Sequence, residues 1–256
     1  MTTPTTRLTT AIADPRIADS DFRFVPASAD TGWITLVGVV HDHPASVFRV
    51  VETVRALDPN VVALEIAPIS VPLFRRYARQ GDTYSETGLT GSPEGGEMSA
   101  AIGAAGDARV VGIDLPNPAT LKTTVEAVRG ESLSVRSALR AGHAFGLQTL
   151  HAVRCRVSHV ASTLGIDIDP GFDDRGETYT RTASPDEQAA EEDDTVAAGT
   201  ALLRAFTRPP ALEAFDGARE AAMVAELRTH RRNGSNVVAV VGYAHLNPIA
   251  EQLLQV

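Results

Sequence analysis

Four short apolar runs, rich in β-branched residues, constrain the fold of this chain more than any other feature. They are residues 34–40, 61–66, 108–113 and 236–241. A run that is apolar at nearly every position, rather than at every second one, indicates a strand covered on both faces. Helical spacing of apolar residues separates the runs, which predicts parallel strands joined by helical crossovers. The sequence therefore predicts an α/β fold: a mostly parallel sheet core with flanking helices, interrupted by a helical insertion.

The chain divides into a short tail and one large domain. Residues 1–31 are polar and punctuated by proline and aspartate, so we expect a polar N-terminal tail before an α/β domain at 32–256. A helical insertion is expected at about 118–208, after the third strand. Its acidic stretch, 167–194, has little apolar content, so we expect that stretch to be mobile and dispensable for folding. A helix is expected near 187–206.

Composition excludes several classes of function. The formal net charge is -9 at pH 7, and such a chain lacks the basic face that binding to nucleic acid needs. No apolar run is long enough to span a bilayer, and the first ten residues lack the apolar core of a signal peptide. We therefore expect a cytoplasmic protein. The single cysteine, Cys155, lies in a helical pattern and is expected to be a buried structural thiol.

Polar groups stand at the end of each predicted strand. The first and fourth strands end in Gly-x-x-His motifs at 38–41 and 242–245, the second carries Glu65, and the third ends at Asp114. The carboxyl ends of parallel strands meet at one edge of a sheet, where ligands bind in open α/β folds. We therefore expect the two motif histidines and Glu65 to lie within ~10 Å of one another at that edge.

The three residues at this edge indicate metal chemistry. A carboxylate in a doubly covered strand costs several kcal/mol (~2–7) unless it is paired, protonated or bound to a metal. Two imidazoles and a carboxylate suit a divalent transition metal, Zn, Mn, Co or Fe. We predict that His41 and His245 are metal ligands. Glu65 is then a third ligand, or the general base that takes a proton from the attacking water.

Other polar residues have simpler interpretations. A single histidine after a strand is usually a hydrogen-bonded turn residue, and the repetition of the Gly-x-x-His unit is what favours a site. Asp114 is a weaker candidate, because aspartates after strands often cap the next helix. His43 is expected to be exposed, and Glu97 is expected to be an exposed glutamate at a helix start, with support of the site as its alternative role. The histidines of one stripe are expected to form a polar helix face: His143, His151 and His159.

The order of the motifs resembles the TraB/PrgY family, which belongs with the Tiki proteins. The stretch 34–68 has the strand, Gly-x-x-His, helix, Asp-Pro turn and acidic strand of that family's opening. The segments 96–101 and 219–223 are similar to its Gly-Glu-Met and Arg-Asp-x-x-Met helices, and 240–245 resembles its second Gly-x-x-His. Departures from the usual family pattern include Val39 for threonine, Glu220 for aspartate and Ala244 for glycine. The resemblance covers about 34–115 and 210–254 and implies metal-dependent peptide hydrolysis.

The predicted function is a metal-dependent hydrolase, peptidase-like, acting on a peptide or small-molecule substrate. Arg219 would hold a substrate carboxylate or a tetrahedral oxyanion, and the alternative is an ion pair with Glu65 or Glu220 that only supports the site. Two other functions stay open: a catalytically inactive regulatory module that binds a peptide or ligand in the same pocket, and an interaction domain acting through the insertion. Homo-oligomer formation stays open as well.

Overall fold

The computed structural model describes residues 4–80, 95–114, 179, 183–205 and 210–255, and within these ranges the fold is α/β. A mixed sheet of five strands lies at its centre, and the strands are β1 Phe22–Val25, β2 Ile34–Val39, β3 Val61–Leu64, β4 Arg109–Gly112 and β5 Val237–Gly242. Their order in the sheet is β1-β2-β5-β3-β4. β1 is antiparallel to β2, and the other neighbouring strands are parallel. The predicted α/β class with a mostly parallel sheet is confirmed.

Helices flank the sheet. α2, Pro44–Leu57, ends at the Asp58-Pro59-Asn60 turn, with Asp58 in a left-handed conformation. The closing helix, α7, is Tyr243–Leu254, so its first turn contains His245. Within the described ranges, no helix is both long and apolar enough to cross a membrane. The helices are α1 Pro4–Ile12, α2 Pro44–Leu57, α3 Val71–Gln80, α4 Gly96–Ala104, α5 Pro185–Ala205, α6 Pro210–His230 and α7 Tyr243–Leu254.

Successive strand residues pack into cores on opposite faces of the sheet, as the two-residue period of a strand requires. On one face, Val37 and Val39 of β2 pack with residues of α1 to α4. On the other face, Ile34 and Leu36 pack with residues of α6 and α7. Both faces are therefore covered, which explains why the strands have apolar runs rather than an alternating pattern. The sheet is the middle of three layers.

The expected polar tail is wrong for residues 4–25. They form α1, a 3₁₀ turn at Asp19–Asp21 and the edge strand β1, which pairs with β2. The physical reason is that a few apolar side chains, widely spaced in a mostly polar segment, are buried in the core. Four of them are at most 5% exposed: Leu8, Ile17, Phe22 and Val25. This segment is part of the core of the domain.

The insertion contributes α5, which confirms the helix expected near 187–206. The expectation that the whole stretch 167–194 is mobile and dispensable is wrong for its last ten residues, because they are helical and pack against α2. Gln188 and Glu192 are buried there, at 5% and 2% exposure. The other predictions for the insertion lie outside the described residues, including those for Cys155, His143, His151 and His159.

Candidate active site

The strand order explains how residues far apart in sequence meet. β5 lies between β2 and β3, and all three run parallel, so their carboxyl ends share one edge of the sheet. His41 follows β2, Glu65 follows β3, and His245 follows β5. Arg219 reaches the same edge from α6. The structure thus brings together all four residues that the sequence singles out.

Glu65 is the centre of the cluster, and its side chain is only 4% exposed. Its Oε2 accepts a hydrogen bond from the backbone N–H of Gly242 at 2.6 Å. Its Oε1 accepts one from Arg219 Nη2 at 2.8 Å and lies 3.5 Å from His245 Nε2. These partners offset the cost of burying a carboxylate, which is several kcal/mol (~2–7) when the group is unpaired.

Arg219 binds two carboxylates and one imidazole. Its Nε and Nη2 donate to Asp114 at 3.1 and 2.7 Å, a bidentate pair, and Nη1 lies 3.2 Å from His245 Nε2. Burial lowers the pKa of Arg219, but the hydrogen bond and charge of Asp114 and the charge of Glu65 outweigh it and raise the pKa. Of the two roles considered for Arg219, these contacts correspond to the ion pair with Glu65 that supports the site. Asp114 is therefore also part of the site, although its sequence context made it a weaker candidate than Glu65 or the two histidines.

His245 is held between a carboxylate and a guanidinium. Its Nδ1 lies 2.9 Å from Glu220 Oε1, and its Nε2 faces Arg219 and Glu65. A guanidinium only donates hydrogen bonds, so the network assigns the proton to Nδ1 and the lone pair to Nε2. Burial lowers the pKa of His245, but the hydrogen bond that it donates to Glu220 and the charge of Glu65 raise the pKa above its ordinary value. Glu220 is therefore a partner of His245 rather than of Arg219.

His41 is the most accessible member of the site but is still half-buried, since half of its side chain is exposed. Its Nδ1 lies 2.7 Å from Glu97 Oε1, and Glu97 Oε2 accepts a hydrogen bond from Asp42 N at 2.9 Å. Glu97 is only 2% exposed, so the expectation of an exposed helix-start glutamate is wrong and its supporting role applies. Burial lowers the pKa of His41, but the charge and hydrogen bond of Glu97 outweigh it and raise the pKa to about 9.

Gly242 leaves a small space between the first histidine and the central glutamate. A β-carbon added at residue 242 would lie 3.6 Å from Glu65 Oε2 and 3.6 Å from His41 Nε2. We call the volume in which that β-carbon would lie the shared space. Both bordering atoms carry lone pairs when the imidazole is neutral. A small electrophile or a cation in the shared space would contact both residues.

Gly38 has a different role, since it allows the two motifs to pack together. A β-carbon at residue 38 would lie 2.9 Å from the Tyr243 ring and 2.9 Å from the Leu246 side chain. Real β-carbons essentially never approach that closely. The glycine of the first Gly-x-x-His motif is therefore needed because the tyrosine of the second motif lies against it.

His43 is the clearest error among the sequence predictions for this region. It is fully buried rather than exposed, and its Nδ1 accepts a hydrogen bond from Ala45 N at the start of α2. Sequence reasoning also missed the contact of Glu220 with His245. The resemblance of 219–223 to a family helix could have indicated that Glu220 belongs to the site.

Among the described residues, no group of three or more His, Cys, Asp or Glu side chains has an arrangement suited to a metal ion.

The raised pKa of His41 gives a prediction about pH. In metal-free protein, His41 should titrate near pH 9, and Glu97→Gln should bring its pKa down toward 6.5 or below, because the favourable negative charge is lost. The folded pKa is above the unfolded value, so the pair stabilises the fold fully below pH 6.5 and less as pH rises through about 9. NMR titration of the imidazole resonances checks this, with the His230 signal as internal control. A wild-type His41 that titrates near 6.5 would contradict the ion pair.

Comparisons of the chain with protein-family models, with curated proteins and with solved structures found no match. The case for a function therefore depends on the contacts within the site.

Proposed function

We propose that the chain is a metal-dependent hydrolase, peptidase-like, with its site at the carboxyl edge of the sheet. One observation carries the proposal: His41 Nε2 and Glu65 Oε2 border the shared space at Gly242, and His245 Nε2 lies 3.5 Å from the same glutamate. The two histidines and the glutamate come from three adjacent parallel strands. Such an edge is the usual place for ligand binding in open α/β sheets.

The kinds of donor atom in the site suit a divalent transition metal, although the side chains as they stand are not arranged around one point. Two imidazoles and a carboxylate suit Zn, Mn, Co or Fe. The Nδ1 atom of His41 contacts the carboxylate of Glu97, and that of His245 contacts the carboxylate of Glu220. Histidines that bind metals commonly have such a carboxylate on the ring nitrogen that does not bind the metal. Such a partner orients the ring so that Nε2 is the ligand atom. Binding by all three residues would require His245 Nε2 to exchange its contact with Arg219 Nη1.

The residues would then divide the work as follows. His41, Glu65 and His245 would hold the metal, which supplies a Lewis acid for the scissile carbonyl and makes water more acidic. Glu65 has two candidate roles, ligand and general base, and its Oε2 is the atom suited to either because it borders the shared space. Arg219 compensates the charges of Glu65 and Asp114.

The substrate class comes from the resemblance to TraB and Tiki proteins, which supports a peptide. His41 is the exposed end of the site, so a substrate would approach from that side. Arg219 has donors committed to two carboxylates and to His245. It is therefore better suited to holding the site together than to clamping a substrate carboxylate.

One observation favours a second function, a catalytically inactive module that binds a peptide or ligand. Arg219 already supplies a positive charge to Glu65 and Asp114 and a donor to His245 Nε2. The cluster is thus charge-compensated by the chain's own residues. In that case the protein would retain a peptide in the same place without turnover.

Gly242→Ala tests the site with little risk to the fold. Its φ of −59° and ψ of 147° suit alanine, so the stability should be unchanged or rise by up to about 1 kcal/mol. The added methyl group would fill the shared space between Glu65 and His41. We expect the affinity for Zn²⁺ or Co²⁺, measured by calorimetry on protein purified without chelator, to fall by on the order of 10-fold or more.

Gly217→Ala is the matched control, since a β-carbon there would meet nothing within 4 Å and the residue lies on α6. That variant should bind metal as the wild type does. Wild-type affinity in Gly242→Ala would refute the proposed place of the metal. Wild-type protein that binds none of Zn, Mn, Co or Fe, and that retains a peptide without cleaving it, would favour the binding module.

A further inference from the structure

We infer that Arg49 and Glu192 are positioning residues that fix the two Gly-x-x-His motifs relative to each other. The inference rests on the proposed function only in what the motifs do, because the contacts themselves are within the fold. Arg49 lies on α2 and Glu192 on α5, and the two side chains form a buried ion pair. Neither residue belongs to the site described above.

The pair is part of a buried charged network. The side chains of Arg49, Glu192 and Asp21 are 2%, 3% and 6% exposed. Arg49 Nε pairs with Asp21 Oδ2 at 2.8 Å, while its Nη2 pairs with Glu192. Burial lowers the pKa of Arg49, but the charges of Glu192 and Asp21 outweigh it and raise the pKa. A charge buried this deeply stays in one place, because moving it away from its partners is costly.

The network contacts the backbone of the first motif at two points. Arg49 Nη1 donates to the carbonyl oxygen of Gly38 at 2.9 Å. Ser46 Oγ accepts a hydrogen bond from Val40 N at 2.8 Å and donates to Glu192. Gly38 opens the motif and Val40 directly precedes His41. The network therefore fixes the strand end from which His41 extends.

The network contacts the second motif through its tyrosine. Tyr243 Oη donates to Asp21 Oδ1 at 2.7 Å, and Asp21 is paired with Arg49. The Tyr243 ring lies against Gly38, and its centroid is 5.8 Å from Arg49 Cζ. Tyr243 directly follows Gly242, whose N–H binds Glu65. A shift of Tyr243 would thus move both the shared space and the start of the helix that carries His245.

Through Glu192, the predicted insertion would help to position the two motifs of the site. Glu192 comes from the helix α5, which lies inside the predicted insertion, yet it supplies a counter-ion beneath both motifs. Burial raises the pKa of Glu192, while Arg49 and Ser46 act in the opposite direction by stabilising the carboxylate. Loss of this one carboxylate would leave Arg49 with Asp21 as its remaining acidic partner in the network.

Two variants test the inference, Glu192→Gln and Tyr243→Phe, each in the full-length chain. The first removes a charge with little change of shape, and the second removes only the hydrogen bond to Asp21. Asp193→Asn is the control, because it makes the same kind of change at the next position of α5, which is exposed. The readouts are the imidazole NMR signals of His41 and His245, the affinity for Co²⁺ and the thermal melting curve.

We expect both variants to shift the signals of His41 and His245 and to weaken Co²⁺ binding by on the order of 10-fold, while the control matches the wild type. Variants that melt at lower temperature but keep wild-type imidazole signals would overturn the inference and leave a purely structural role. If Glu192→Gln does not fold, Tyr243→Phe decides. If the wild type binds no Co²⁺, the proposed function fails, and the imidazole signals alone decide the inference.

Discussion

Replacing Arg219 with methionine is expected to lower the free energy of unfolding by about 3–5 kcal/mol, the cost of removing the arginine that pairs with two buried carboxylates. The side chains of Glu65 and Asp114 are 4% and 5% exposed, and both are paired with this guanidinium. Urea unfolding at pH 7 measures the loss.

Arg55→Met is the matched control for the Arg219 prediction. Arg55 is half exposed and pairs with Glu52 at 3.6 Å, so its replacement should cost at most about 1 kcal/mol. The double variant Arg219→Met with Asp114→Asn should recover part of the lost stability, because one of the two buried carboxylates that lost the arginine is then neutral. A loss below about 1 kcal/mol in Arg219→Met alone would show that the arginine does not neutralise the cluster.

Glu65→Gln is expected to reduce hydrolysis by a factor on the order of 10²–10⁴ if the carboxylate is the general base. Glutamine keeps the shape but cannot take a proton from water. If Glu65 is instead a ligand, bound metal and hydrolysis should fall together. Metal content and peptide turnover, measured on the same samples, separate the two roles.

The control for the Glu65 prediction is Glu52→Gln, at a partly exposed position on α2. Circular dichroism must show that each variant is folded, because Glu65 also accepts hydrogen bonds from Gly242 and Arg219. A metal-loaded wild type that cleaves peptides, together with a folded Glu65→Gln variant of equal activity, would exclude Glu65 from catalysis. It would leave the glutamate with a structural role.

Local signals in the sequence were strong enough to predict the sheet. The runs of β-branched residues predict strands β2 to β5, since residues covered on both faces must be apolar throughout. The Gly-x-x-His repeat predicts that His41 and His245 reach the same edge, because the edge is set by the parallel arrangement alone. For these features, local pattern and tertiary structure agree.

The features that sequence reasoning missed depend on pairs that are far apart in the chain. Arg49 meets Glu192 at a separation of 143 residues, and His41 meets Glu97 at a separation of 56 residues. A buried glutamate on a helix has the same local pattern as an exposed one, so only the tertiary partner distinguishes Glu97 from a surface residue. The edge strand β1 was missed because its residues, Phe22–Val25, lie within a segment of polar composition and do not form a long apolar run like those of the other strands.

The position of β5 in the sheet has a consequence for folding. β5 follows all the other described strands in sequence but pairs with both β2 and β3 in the middle of the sheet, with Ile34 next to Val237. During synthesis, β2 and β3 are complete long before β5 leaves the ribosome, and until then each has an unpaired edge. Unpaired edges of apolar strands are prone to associate with other chains, and pairing at long sequence separation is slow. The nascent chain therefore depends on protection from aggregation until its central strand has been made.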